Sequence, residues 1–212
     1  MRFDMTYSTV RATVARNLIR GFAAALLLAI SLAARAQVQP ATVFGLSPGQ
    51  TSAIDLELHY AYFHANAPPA ECGCFSLNGG GGSLAVNMPH GFSLITDVTT
   101  AFANKVDGTT QNIKILDFLA GPRYSYRSKK RWTPFGQVLL GGSEEFSNDA
   151  YLGGQKTAFA FSGGGGLTRV LSSHFAWDVQ ADYVYSQIPN AKNDVQNDLR
   201  ISTGIVFRIG PR

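Results

Sequence analysis

After residue 36 the sequence has no run of apolar residues long enough to cross a bilayer as a helix, which takes about 20 of them at 1.5 Å each. A mature chain that enters a membrane must do so as strands. Cysteine is nearly absent: the only two, Cys72 and Cys74, are one residue apart. A lone Cys-x-Cys lacks the second ligand pair that a zinc site needs. A bridge between the two would close too small a loop to add much stability and would be strained, so a local bridge or two unpaired thiols remain. The phosphate-loop spacing G-x-x-x-x-G-K-[ST] is missing as well. The glycine-rich stretches Gly79 to Gly82 and Gly153-Gly154-Gln155-Lys156-Thr157 are therefore expected to be flexible external loops.

What the chain does have begins with arginine. Arg2, Arg11, Arg16 and Arg20 precede an apolar run from Gly21 to Leu32, and Ala34-Arg35-Ala36 follows. A positive region, a short apolar region and a small-x-small site make a secretory signal peptide, with cleavage expected before Gln37. The apolar run is too short to span about 30 Å. Residues 1–36 are thus expected to be a signal peptide and 37–212 a single domain. Residues 1–36 hold five arginines and one aspartate, so the formal net charge of +4 falls to zero after cleavage. The basic balance belongs to the leader and implies no nucleic-acid partner.

Alternation of apolar and polar residues, the mark of a strand with two different faces, recurs along the mature chain. Phe175, Trp177, Val179, Ala181, Tyr183 and Tyr185 alternate with Ala176, Asp178, Gln180, Asp182 and Val184. Leu199, Ile201, Thr203, Ile205, Phe207 and Ile209 alternate with Asp198, Arg200, Ser202, Gly204, Val206 and Arg208, and Ile54, Leu56, Leu58, Tyr60 and Tyr62 with Asp55, Glu57, His59 and Ala61. Weaker versions cover Ser83 to Met88, Phe92 to Ala103, Ile115 to Tyr126, Thr133 to Ser143 and Ala158 to Val170. The pattern predicts eight strands, with links that alternate between short (near 89–91, 128–131 and 172–174) and long (65–82, 104–112, 144–157 and 187–197). Short periplasmic turns and longer external loops alternate in this way in outer-membrane barrels. Deleting Glu144 to Lys156 is then expected to leave a folded barrel.

An even strand number puts both termini on the periplasmic side. Phe92, Tyr124, Tyr126, Phe175, Trp177 and Phe207 then fall in a lower ring, and Tyr60, Tyr62, Phe102, Phe159, Phe161, Tyr183 and Tyr185 in an upper one. This is the double aromatic girdle of a lipid-facing surface; a soluble sandwich would bury aromatics mid-strand. The opposite face carries Asp55, Glu57, Asp97, Asp117, Arg123, Gln137, Asp178, Gln180, Asp182, Arg200 and Arg208. A lipocalin-like barrel would be apolar inside, so these charges predict a transmembrane barrel with a polar lumen. Acids and arginines are expected to pair across it, and side chains to fill it without leaving a wide pore. Val179→Arg should be costly, and Gln180→Arg tolerated because Asp178 and Asp182 flank it.

The chain resembles the eight-stranded outer-membrane β-barrel family that includes the OmpA transmembrane domain, OmpX and Ail-like proteins. The likeness rests on Gly121-Pro122-Arg123-Tyr124-Ser125-Tyr126, on Thr133-Pro134-Phe135-Gly136-Gln137-Val138-Leu139-Leu140-Gly141-Gly142 and on Phe161-Ser162-Gly163-Gly164-Gly165-Gly166-Leu167. It rests too on Gln180-Ala181-Asp182-Tyr183 and the terminal Gly204-Ile205-Val206-Phe207-Arg208-Ile209. The resemblance implies an antiparallel up-and-down transmembrane β-barrel in a bacterial outer membrane, folded as a monomer in outer-membrane lipid. It also implies handling by the barrel-assembly machinery through a terminal aromatic. The nearest match is Phe207, with Arg208 to Arg212 beyond it, and no peptidoglycan-binding domain is expected after the barrel.

Some small outer-membrane barrels modify lipid A with a His and a Ser at the membrane edge. Of the four histidines, His90 and His174 sit in expected turns, and His59 shares the luminal face with Asp55 and Glu57, where a structural hydrogen bond accounts for it. His64, near the outer rim, is the one candidate base, without a matching serine and acid. No catalytic, cofactor or metal residues are assigned. The expected role is structural, adhesive or surface-interactive, carried by external loops toward an unspecified surface partner, with a lipid A-modifying enzyme and a narrow solute channel as alternatives.

Overall fold

Alternating sequence becomes alternating faces in a computed structural model of the chain, which describes residues 51–66, 74–104, 112–127, 132–147, 154–188 and 195–211. Among them are eight strands: β1 (Ser52–Asn66), β2 (Cys74–Asn87), β3 (Phe92–Ala103), β4 (Ile113–Ser125), β5 (Trp132–Ser147), β6 (Gly154–Val170), β7 (Phe175–Ser186) and β8 (Gln196–Pro211). Each pairs antiparallel with the next, and β8 returns to β1, from Ser52↔Pro211 to Ala65↔Asp198. The closed ring leaves no strand edge unpaired, which an apolar solvent demands. The expected signal peptide, its Ala34-Arg35-Ala36 site and Cys72 lie outside the described residues.

Three strands are longer than their periodicity announces. β2 starts at Cys74 rather than Ser83, so Gly79 to Gly82 are not a loop: Gly79 pairs with Ala61 on one side and Ala101 on the other. Glycine has no side chain to alternate, so the period-two signal vanishes there while the backbone ladder continues. β5 runs to Ser147 and β6 starts at Gly154, so Gly154 to Thr157 pair with Glu144 to Ser147 instead of forming a loop. There the alternation is hidden because Ser143, Glu144 and Glu145 are polar in succession and all buried. The expected contrast of link lengths softens accordingly: the outer link 148–153 is no longer than the inner link 126–131.

The outward face is a belt. Leu56, Leu58, Leu94, Val98, Val138, Leu140, Leu167, Ile201 and Ile205 are all exposed across its middle. At the inner rim Phe92 packs on Tyr124 (5.1 Å between centroids), Phe175 on Phe207 (5.3 Å) and Trp132 on Trp177 (6.2 Å). Trp132 joins this girdle although the alternation places the start of its strand one residue later. Arg169 stands in register between Trp132 and Trp177. At the outer rim Tyr60 donates to Asn78, Tyr183 donates to Asn197, and the Tyr62 and Ser76 hydroxyls share a bond of 2.7 Å. Such tyrosines keep the ring in lipid and the hydroxyl on polar partners.

Candidate functional site

Strand alternation turns every second side chain into the lumen, and most of the polar residues expected there are buried, while Asp55 and Arg208, near the inner end, are half-buried. Glu57, His59, Asp97, Asp117, Arg123, Gln137, Asp178, Gln180, Asp182 and Arg200 are all buried. The shared face is legible from each strand alone, but the partners are not, because they come from across the barrel.

Arg200 of β8 is the centre of the arrangement and is wholly buried. Its Nη1 donates to Asp97 Oδ1 on β3 at 2.7 Å, and its Nη2 and Nε donate to Asp182 Oδ2 on β7 at 2.9 and 3.2 Å. Asp182 also accepts from Gln137 Nε2 of β5 at 3.0 Å. Arg123 of β4 donates through Nε to Gln137 at 2.9 Å and through Nη2 to Gln180 of β7 at 3.2 Å, with its guanidinium 4.0 Å from the centroid of the Phe135 ring. Higher up, Gln196 of β8 donates to Glu145 of β5 at 3.3 Å. The links β3–β8, β4–β7 and β5–β8 each join strands that are not neighbours. They are struts across the lumen. Fully partnered, such charges are tolerated in a low-dielectric interior; with a partner removed they are not.

A second group adjoins the first. Thr99 Oγ1 lies 3.0 Å from His59 Nε2 and donates its only hydrogen to Asp97 at 2.9 Å. The proton in the His59–Thr99 contact therefore sits on Nε2, and His59 Nδ1 faces Glu57 Oε1 at 3.8 Å. The structural hydrogen bond expected of His59 is present, with Thr99 as partner rather than Asp55 or Glu57. Ser83 donates to the other Glu57 oxygen at 3.0 Å, Ser143 to Asp117 at 2.6 Å and Thr168 to Asp178 at 2.9 Å.

Glycines make room for these side chains. A Cβ on Gly164 would run into the Ala181 carbonyl oxygen and the Asp182 carboxylate, and one on Gly81 would meet the Val98 carbonyl oxygen and stand 2.9 Å from His59 Nε2. Glycine in a strand often marks such a close approach.

The lumen is not polar throughout. Ala61, Phe63, Ala65, Leu77, Ala101, Ala103, Ile113, Ile115 and Val184 form one buried apolar cluster at its outer end, with Phe75 packed against it. Ala85, Ile95, Leu119, Leu139 and Ala160 form a second at mid-height. Phe63 and Ala65 continue the odd-numbered face of β1 beyond where its alternation was followed, and Leu77 lies in the part of β2 hidden by glycine.

Of the other histidines, His90 lies in the first inner turn and His174 in the last, as expected. His64 is exposed near the outer rim of β1, and its cross-strand partners are Ser76 and Leu199. The structure thus supplies the serine that the sequence does not place. Neither partner is an acid, however, and the Ser76 hydroxyl is engaged by Tyr62.

No family model matches the chain, and no curated protein matches it in sequence. Solved structures do match. Neisserial surface protein A is similar over 74% of this chain and 98% of its own, at a TM-score of 0.61 and 14% identity. Ail, the attachment invasion locus protein of Yersinia pestis, is similar over 75% and 99%, at 0.53 and 13%. The outer membrane protein OprG of Pseudomonas aeruginosa is similar over 77% and 99%, at 0.52 and 11%. Together with the closed ring, the apolar belt and the two girdles, these likenesses give the chain the fold of the small eight-stranded outer-membrane β-barrels.

Proposed function

We propose that the protein is a non-conducting outer-membrane anchor with a structural, adhesive or surface-interaction role performed at its outer rim. The observation that carries this reading is the set of luminal struts centred on Arg200 and Arg123. With the outer apolar cluster above them, they leave the lumen packed by side chains, so the surfaces left for function are the rim and the links between strands. Among barrels of like fold, Ail is described as an attachment invasion protein and has been solved with the heparin analogue sucrose octasulfate. That supports a surface role by analogy of fold alone.

Single-channel recording in planar bilayers tests the reading. The purified protein is expected to give no conductance steps; regular, ion-selective steps would favour the narrow-channel alternative. An acylhydrolase assay on outer-leaflet lipid, compared between the native protein and Ser76→Ala, tests the enzyme alternative. Turnover that disappears with Ser76→Ala would establish it over the anchor.

A further inference from the structure

Among the described residues, Arg169 is the one charged side chain on the inner half of the lipid-facing wall. It lies near the inner end of β6, in register with Trp132 of β5 and Trp177 of β7, and it is exposed. The two indoles are 6.2 Å apart, so they meet across β6, and the guanidinium is 5.2 Å from the centroid of the Trp132 ring. A guanidinium resting on a ring still has its N–H fork to offer an anion. Among the described residues Arg169 makes no ion pair and no hydrogen bond. One step along the strands toward the midplane, the outward row is Pro134, Leu167 and Val179, and the row after it is Gly136, Gly165 and Ala181. Both rows are apolar, and the second is nearly without side chains. The acids nearest in sequence, Asp178 and Asp182, are buried in the lumen, on the other side of the wall. The three links at this end, 88–91, 126–131 and 171–174, contain no aspartate or glutamate.

We propose that Arg169 takes the phosphate of an anionic phospholipid of the inner leaflet. The guanidinium meets the phosphodiester at the level of the tryptophan girdle, and an acyl chain runs toward the midplane over Leu167, Gly165 and Ala181. The position of Arg169 on the lipid-facing row favours a lipid over a water-borne partner. The shortage of acids decides the headgroup: the ammonium of a zwitterionic lipid gains no carboxylate at this rim, whereas a headgroup of net negative charge leaves nothing unanswered. One basic side chain near the surface should give a preference of about five-fold, which corresponds to about 1 kcal/mol.

Tryptophan fluorescence reports this place alone, because Trp132 and Trp177 are the only two tryptophans in the chain. The purified barrel is reconstituted in phosphatidylcholine vesicles, into which lipids with dibrominated acyl chains, quenchers of nearby indoles, are titrated: phosphatidylglycerol, phosphatidylethanolamine and phosphatidylcholine in turn. Phosphatidylglycerol should quench the native protein with about five-fold higher apparent affinity than the other two. Arg169→Lys, which keeps the charge, should keep the preference. Arg169→Gln, shown to be folded by heat-modifiable gel mobility, should be quenched alike by all three. Equal quenching of the native protein by the three lipids overturns the proposal, as does an undiminished preference in the folded Arg169→Gln. Lys114→Gln, which removes an outward cation at the far end of β4, should leave the preference unchanged. A loss there equal to that of Arg169→Gln would trace the preference to overall charge and overturn the site.

Discussion

Replacing Arg200 by methionine tests whether the luminal struts hold the barrel together. Methionine keeps most of the volume and removes the charge, so Asp97 and Asp182 lose a guanidinium that donates to them at 2.7 and 2.9 Å. Each keeps one donor, Thr99 for Asp97 and Gln137 for Asp182, so neither is stripped bare. Two carboxylates nevertheless stay buried without a cation. Breaking a buried pair from one side costs about 3–5 kcal/mol, and both acids are affected here, so the loss belongs in that range rather than at the level of about 1 kcal/mol found for exposed pairs. Urea titration in lipid vesicles, with heat-modifiable gel mobility as the folding readout, measures it. The triple variant Arg200→Met, Asp97→Asn, Asp182→Asn should recover most of the loss, because the cost lies in the orphaned charges and not in the missing arginine. A loss below about 1 kcal/mol for Arg200→Met would mean that water solvates both acids, and the lumen would not be sealed by this network.

Val179 faces lipid between Leu167 and Thr203, so Val179→Arg should cost about 2–4 kcal/mol in the same titration; a negligible loss would contradict the lipid-facing assignment. Gln180→Arg, which the sequence alone marks as tolerated, should also destabilise, because Gln180 Oε1 accepts from Arg123 and a second guanidinium would replace that acceptor with a like charge. Replacing 148–153 by a glycine-serine link should leave a folded barrel. Deleting Glu144 to Lys156 removes paired residues of β5 and β6 and should abolish membrane assembly, reversing the expectation from sequence. N-terminal sequencing of the membrane-fraction protein should begin at Gln37; a sequence retaining Arg20 would refute the leader.

What was legible in the sequence was what a single strand can encode. Alternation in β7 and β8 is strong because both faces carry distinctive side chains, and the inside or outside of Asp182, Tyr183, Arg200 and Ile201 follows from it without any knowledge of neighbours. Alternation fails where side chains stop contrasting, at Gly79 to Gly82 and at Ser143-Glu144-Glu145, and those are the places where β2 and β5 run on unannounced. The luminal network was legible only as a set of residue types. That Arg200 meets Asp97 rather than Asp117 depends on the stagger that sets the height of β8 against β3 across the lumen, a quantity no strand carries in its own pattern. The placing of Lys114 between the Phe102 and Phe146 rings escaped for the same reason, because the three become neighbours only through register.

Closure between β1 and β8 also sets the order in which this chain can fold. Ile54 and Ile209 are direct partners, about 150 residues apart in sequence, so the seam cannot form until the last strand has been delivered. Every other strand pair joins neighbours in sequence, whereas this one demands the largest loop closure in the molecule. Until it is made, β1 and whichever strand is then last offer two open edges, each able to recruit another chain. A chain truncated before Gln196 would lose more than an eighth of its wall: it would hold both edges open permanently, and its fate would be aggregation rather than a smaller barrel.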